Sequence, residues 1–360
     1  MLKTAPAVFS VGTDYQIMFE VTSDALVSVR VGEETYYDES NGIMNTLSSM
    51  HRVTVPASLL DKEKKYTVCL RPLIERKPYF SNTGEVVEID FDFKPVPESN
   101  IRAYHLSDTH NRIETPVAAA KAFGDIDFLI LNGDILDHSG DPSKFANIYI
   151  ICGEITGGHI PVVFSRGNHD LRGNYAEKFA DYTPSQNRNT YYSFRLGSIW
   201  GILLDCGEDK DDSHAEYGFT VACHPFRLRQ TEYLKSVIAN ADREYNADGI
   251  KTRLVISHNP FTEKLPAPFD IEKDIYTEWA TLLDDYVKPN VMICGHIHKN
   301  YIRYPGGTDE YIKRPCPVVV GSEPYQDKFI GCGYIFGDEK IEIIFTDSLG
   351  NTISSETIKK

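Results

Sequence analysis

The chain has 360 residues, 41% of them apolar, with 37 Lys and Arg against 52 Asp and Glu for a net charge of −15. That length suits two domains with real cores, and the acidic balance repels polyanions, so nucleic acid is excluded as an expected partner or substrate. Seven scattered cysteines with no Cys-x-x-Cys pair exclude a disulfide framework and a zinc knuckle, and with no secretory leader and no apolar run near ~20 residues the expectation is a cytoplasmic chain away from membranes.

Residues 1–97 alternate apolar and polar positions with period two at 16–21, 26–31, 52–55, 66–70 and 86–93. Turn-rich gaps at 32–34, 38–42, 61–65 and 81–84 separate these stretches. Such a pattern predicts half-buried strands in a small β-sandwich. Residues 60–68, which open on Tyr66, resemble the tyrosine-bearing corner of fibronectin type III domains. No metal, acid–base or nucleophile constellation falls here, so a supporting or oligomerising role, including a homo-oligomer contact, is expected. The Pro-rich segment Lys94-Pro95-Val96-Pro97-Glu98-Ser99-Asn100 disfavours helix, and the boundary to a second domain, 98–360, is drawn there.

Beyond it, apolar strands are predicted at 101–107, 128–131, 161–165, 199–205, 253–257 and 291–294, alternating with helical stretches at 115–123, 142–155, 227–241 and 276–287. That alternation argues for an α/β layer structure. Strand patterns at 301–304, 318–321, 334–336 and 341–346 would complete a second sheet. Five donor blocks each follow an apolar strand: Asp108-Thr109-His110, Gly133-Asp134, Gly167-Asn168-His169-Asp170, His258, and Gly295-His296-Ile297-His298. Ligands gather at the carboxyl ends of strands in open α/β sheets. Oxygen and imidazole donors without thiolate suit Zn, Mn, Fe and Ni. Within the pairs Asp108/His110 and His296/His298, donors two positions apart share a face if the segment is extended. The polar insertion at 206–214 reads as a solvated loop, since it is a charge run with no ligand spacing; the other readings are a rim of the pocket or a site for an extra cation.

From about residue 101 to 347, the order and content of the blocks resemble those of the calcineurin-like metallophosphoesterases, the binuclear metallophosphatase superfamily. The resemblance implies a four-layer αββα sandwich, here preceded by a fibronectin-III-like sandwich comparable to the one purple acid phosphatases carry. It implies Asp108, His110 and His298 as ligands of one metal, Asn168, His258 and His296 as ligands of the other, and Asp134 as the bridge. Two divalent or trivalent ions (Mn, Fe, Zn or Ni) are the implied cofactors, with a hydroxide held between them as nucleophile. His169 matches the residue that protonates or hydrogen-bonds the leaving oxygen, and Asp137 the carboxylate that orients it. Arg166 and Arg172 flank the third block and could grip a phosphate oxygen bidentately or simply pair with Asp.

Two departures narrow the subgroup. Asp137 stands where purple acid phosphatases place a metal-binding Tyr, and His138-Ser139 where serine/threonine phosphatases place Arg-Gly. The expected function is two-metal hydrolysis of phosphoric esters, as a phosphomonoesterase, a phosphodiesterase or both, on a soluble small molecule. Cyclic-nucleotide phosphodiesterase, phosphoprotein phosphatase and a non-catalytic scaffold of the same fold are the alternatives. Tyr175, Tyr217, Phe226, Phe261, Phe269 and Tyr325 lie in the loops that would surround the substrate and could stack on a planar group.

Overall fold

The computed structural model describes residues 1–39, 46–308 and 310–360. Positions 40–42 of the gap expected at 38–42 therefore lie outside the described residues. The chain opens with β1 (Ala7–Val11), β2 (Asp14–Val31), β3 (Glu34–Tyr37), β4 (Ser48–Pro56), α1 (Ala57–Glu63), β5 (Lys65–Glu75), β6 (Asn82–Thr83) and β7 (Val87–Asp92). Next come β8 (Ile101–Leu106), α2 (Glu114–Phe123), β9 (Phe128–Asn132), α3 (Asn147–Thr156) and β10 (Pro161–Ser165). They are followed by α4 (Ala176–Phe179), β11 (Ser193–Leu196), β12 (Ile199–Leu203), α5 (Cys223–Ala239), β13 (Thr252–Ile256), α6 (Lys273–Leu282) and β14 (Val291–Cys294). The last strands are β15 (Tyr301–Arg303), β16 (Val318–Val320), β17 (Glu323–Pro324), β18 (Phe329–Phe336), β19 (Lys340–Asp347) and β20 (Thr352–Lys359).

Two sheets result. One runs β20-β19-β18-β8-β9-β10-β1-β2-β5-β6 and the other β11-β12-β13-β14-β16-β15. At their centres β8, β9 and β10 are parallel, as are β12, β13, β14 and β16. Strands such as Phe128–Asn132 and Val291–Cys294 are buried at every position, as parallel strands covered on both faces must be. Helices α2 and α3 cover the first sheet against β18, β19, β9 and β1. On the far face of the second sheet, Trp200, Val255 and Met292 pack with Leu234 of α5 and Trp279 of α6 in a separate apolar cluster. The order helix, sheet, sheet, helix is the expected four-layer α/β sandwich, preceded by the expected β-rich region.

The first 97 residues are joined to the rest more tightly than a Pro-rich connector suggests. β1 pairs in parallel with β10, Val8 against Pro161 and Phe9 against Val162, so one sheet runs unbroken from the amino-terminal strands into the α/β layers. Strand β2 replaces the two strands expected at 16–21 and 26–31, and a register irregularity between Glu20 and Ala25 lets it pair β1 and β4 early and β3 and β5 late. Tyr66 does not close a local corner. Its hydroxyl donates to the Gly158 carbonyl at 2.9 Å and its ring stacks on Phe91, which ties β5 to the turn after α3.

The carboxyl-terminal strands divide between the sheets instead of completing one. β15 and β16 join the second sheet, whereas β18, β19 and β20 add antiparallel to β8 in the first. Burial explains this: β18 is apolar and almost wholly buried and needs cover on both faces, while Tyr301–Arg303 is part-exposed at an edge.

Candidate metal centre

The loops after β8, β9, β10, β13 and β14 converge, and they do so in an unusual backbone conformation. Asp108, His110, Asp134, His296 and His298 all have φ between +44° and +69°. For a residue with a side chain this left-handed region costs roughly 1–2 kcal/mol, and it persists only where the surroundings over-determine it. Here they do. Asp108 N donates to Gly133 O at 3.1 Å, His110 N to Asp134 O at 3.0 Å and Gly295 N to His258 O at 2.9 Å, and His296 N reaches both Asp108 carboxylate oxygens at 3.0 and 3.1 Å. The donor pairs are not extended: each loop turns after its strand, and loop-to-loop bonds set the side-chain directions. Glycine before a donor is required by space: a Cβ on Gly133 would stand 2.5 Å from Gly167 N, and one on Gly295 2.1 Å from Ser107 Oγ.

Three donor groups emerge among the described residues. Asp108, His110 and His298 bring ligand atoms within 4.8 Å of one another, as do Asp134, His258 and His296 and, at the edge, His110, Asp137 and His169. Asn168 joins the second group, its Oδ1 lying 3.0 Å from His296 Nδ1. Whether cations suit this arrangement can be tested on the buried atoms. His258 Nδ1 lies 2.6 Å from Asn132 O, which can only accept, so Nδ1 carries the hydrogen. Its Nε2 is buried without a well-aligned hydrogen-bond partner and stands 3.1 Å from Asp134 Oδ2, so positive charge, a proton on Nε2 or a metal ion, is needed between them. His110 Nε2 likewise faces His298 Nε2 at 3.1 Å, beside an Asp108 oxygen 3.2 Å from the same His298 atom. Imidazole nitrogens crowded this closely on two buried carboxylates call for positive charge among them.

The electrostatics agree. Burial opposes a charged His258, yet Asp134 and Asp108 outweigh it and push its pKa up to about 10. Burial likewise opposes the Asp108 and Asp134 carboxylates, and His258 nevertheless holds both below the usual carboxylate range. His110 and His296 are pushed down to about 4, chiefly by burial. Behind them Asp170 is buried and pushed up to about 7 by burial and then by Asp134. It accepts from Gly167 N at 2.8 Å and Asp134 N at 3.3 Å and so pins the loops after β9 and β10 together.

His169 sits at the edge of the centre, its N donating to Asp134 Oδ1 at 2.9 Å and its ring 4.8 Å from that of His110. The Asp137 carboxylate does not orient it. Asp137 does so with its main-chain carbonyl, 2.7 Å from His169 Nδ1, while its exposed carboxylate lies 3.6 Å from His110 Nδ1. The carbonyl can only accept, so Nδ1 bears the hydrogen; Arg172 Nη1, which can only donate, faces Nε2 at 3.3 Å.

Neither arginine offers a free bidentate fork. Arg166 binds Asp205 Oδ2 through Nε at 2.9 Å and Nη2 at 2.8 Å. Arg172 binds Glu208 through Nε at 2.9 Å and Nη2 at 2.8 Å. The loop read as solvated is in fact buried from Cys206 through Lys210, because its charges are paired inside. A cleft of about 640 Å³ adjoins it, lined by Arg166, Leu171, Arg172, Tyr217 and Phe226 among others. Of the other aromatics, Phe261 packs in the core against Tyr276 and Trp279, and Tyr175 and Tyr325 are part-exposed under Lys178 and Lys328. Asp170, Glu208, Asp209 and Arg227 carry structure that spacing could not reveal, since their partners are main-chain groups or lie far away in the chain.

The family model for calcineurin-like phosphoesterases matches residues 101–300, and the chain belongs to that family. Among solved structures, purple acid phosphatase PPD1 from yellow lupin (Lupinus luteus) seeds is 15% identical, with a TM-score of 0.63 over 99% of this chain and 74% of its own; the shared fold thus includes the amino-terminal strands. A dimetal phosphatase from Danio rerio is 11% identical, with a TM-score of 0.49 over 72% of this chain and 99% of its own. No curated protein matches the chain.

Proposed function

We propose that the protein hydrolyses phosphoric esters of small molecules with two metal ions. The observation that carries this reading is the pair of neighbouring donor groups, Asp108, His110 and His298 beside Asp134, His258 and His296, with the buried His258 Nε2 3.1 Å from Asp134 and 3.8 Å from Asp108. Bound divalent or trivalent cations (Mn, Fe, Zn or Ni) would supply Lewis-acid polarisation of water and of the phosphoryl group. Asp108, His110 and His298 would hold one and Asn168, His258 and His296 the other. Asp134 is the natural bridge because its two carboxylate oxygens can serve two neighbours, whereas Asn168 has a single amide oxygen. Asn132 fixes the His258 tautomer through its carbonyl. His169 presents Nε2 as the atom that exchanges a proton with the leaving oxygen, and Arg172 supplies a standing N–H donor beside it.

All seven cysteines are free, which supports the cytoplasmic reading, and no described helix is long and apolar enough to cross a membrane. Metal analysis of the full chain, followed by a panel of phosphate monoesters, diesters and cyclic nucleotides with Mn, Zn, Fe and Ni, tests the assignment. Two ions per chain and hydrolysis of at least one ester class are expected. A chain that takes up two ions and cleaves no phosphoric ester would overturn it in favour of a scaffold.

A further inference from the structure

Beyond Asp205, which Arg166 pairs, the loop at 205–210 places two more buried carboxylates, Glu208 and Asp209, beside a site meant for an anionic substrate. Uncompensated, they would repel it. They are compensated in one particular way. Glu208 takes the Nε–Nη2 edge of Arg172 with both oxygens, and Asp209 Oδ1 takes Nη2 as well at 3.2 Å. Tyr217 Oη bonds both carboxylates, at 3.1 and 3.0 Å, and Lys210 Nζ approaches Asp209 at 3.3 Å, so the quartet of Glu208, Asp209, Arg172 and Lys210 is formally neutral. The loop itself is clamped from below: fully buried Arg227 donates to the carbonyls of Cys206 and Glu208 and pairs with Glu272 at 2.9 Å. Asp209 Oδ2 also receives Asn168 Nδ2 at 3.5 Å, which links the clamp to a candidate metal ligand. What remains of Arg172 is Nη1, pointing at His169 Nε2.

We propose that Glu208 is a positioning residue that aims Arg172 Nη1 at an equatorial phosphoryl oxygen, and that this fixed donor selects phosphate monoesters over diesters. The inference rests on the hydrolase reading above. In an in-line displacement three oxygens lie around phosphorus. With two of them held at the donor groups centred on Asp108 and Asp134, the third would lie toward the side on which His169 and Arg172 stand. In a monoester that third oxygen is an anion and accepts a charge-assisted hydrogen bond. In a diester it carries the second alkyl group, which has neither the charge nor room beside a guanidinium that cannot swing away without breaking its bonds to two buried carboxylates. A mobile arginine would adapt to either ester; one locked at three of its donor contacts does not.

The test uses the metal-loaded full chain, an aryl phosphate monoester and the methyl diester of the same leaving group. Arg172→Ala and Glu208→Gln are each expected to lower monoester kcat/KM by roughly 10- to 100-fold, the range of one hydrogen bond to a charged group, and to change the diester little. The double variant should be no worse than Arg172→Ala alone, because Glu208 acts through Arg172. Arg172→Lys should not restore the rate, since an ammonium lacks the fork that Glu208 holds. Calorimetric binding of inorganic phosphate should weaken in the same order, independently of turnover. Equal losses on the two esters, additive losses in the double variant, or full rescue by Lys would overturn the proposal while leaving the hydrolase reading intact. Failure of the wild-type chain to cleave either ester with two ions bound would overturn the hydrolase reading itself.

Discussion

The donor loops and the acidic loop at 205–210 lie side by side and solve the burial of charge in opposite ways. At the centre, imidazole nitrogens and carboxylate oxygens crowd together, His258 Nε2 and His110 Nδ1 have no hydrogen-bond partner, and five donors sit on left-handed backbone. At the acidic loop, Glu208, Asp209, Lys210 and Arg172 satisfy one another and Tyr217 closes the network. The first region is complete only with added positive charge; the second is complete as folded. The difference separates a place that binds ions from a place that aims a side chain, although both are buried clusters of charged groups and neither charge nor burial alone distinguishes them.

The sharpest way to break this contrast is Asp134→Asn. With Asp134 as the proposed bridge, its loss would remove charge stabilisation worth several kcal/mol, on the order of 10³ or more in rate at about 1.4 kcal/mol per decade. Both ions should be lost together, and metal analysis beside the assay would show it. Retention of one ion at full occupancy would mean that the two donor groups are independent. A smaller loss is expected for His169→Ala, about 10² to 10⁴ as for general acid–base groups, with both ions retained. The loss should be greater for alkyl than for activated aryl esters, whose leaving oxygens need the proton less. A uniform loss across leaving groups would make His169 an electrostatic aid to Arg172 and not a proton carrier.

The same contrast decides what could be read from the sequence. Residue types suited to metals are few and each candidate follows an apolar strand, so Asp108, Asp134, Asn168, His258 and His296 could be named as candidate ligands with no knowledge of distance, and the structure brings them together. The pairing of Arg172 with Glu208 spans 36 positions, and a Glu-Asp-Lys run looks solvated until its partners are known. Asp137 illustrates a different obstacle: every residue has a carbonyl, so the main-chain atom that holds His169 leaves no trace in residue type. In the fold, β20 was missed because Thr-Ile-Ser-Ser-Glu-Thr-Ile-Lys is an exposed polar edge strand held by backbone pairing with β19. β1 was missed because Ala-Val-Phe-Ser-Val is buried throughout and does not alternate. Tyr66 resembles the tyrosine of a fibronectin-type corner in the sequence, yet its hydroxyl grips the distant Gly158 carbonyl, a main-chain partner that residue type does not reveal.

A milder probe of the centre is pH. Without metal the folded chain keeps a proton on His258 up to about pH 10, whereas His110 and His296, pushed down to about 4, carry none at neutrality. A cation bound at His258 must displace that proton, so apparent metal affinity should rise with pH below 10, by up to roughly tenfold per unit. Calorimetry in buffers of different ionisation enthalpy should find close to one proton released from this group. A flat affinity between pH 6 and pH 8 would mean that His258 is already neutral and that Asp134 and Asp108 are compensated elsewhere.

The smallest effect is expected at the self-sufficient region. Tyr217→Phe removes a hydroxyl that donates to Glu208 and Asp209 and accepts from Lys210 N at 3.0 Å. Both carboxylates keep Arg172, and Asp209 keeps Lys210, so only the Lys210 N–H is left without its acceptor. The cost should be about 1–3 kcal/mol of stability, the usual price of one buried unsatisfied donor, read as a shift in denaturant midpoint at constant slope. Metal content should not change, because no donor to the centre is touched. If metal were lost with Tyr217, the two regions would be one cooperative unit, with Asp209 carrying the coupling through Asn168. The aiming loop would then also be part of the ion-binding site.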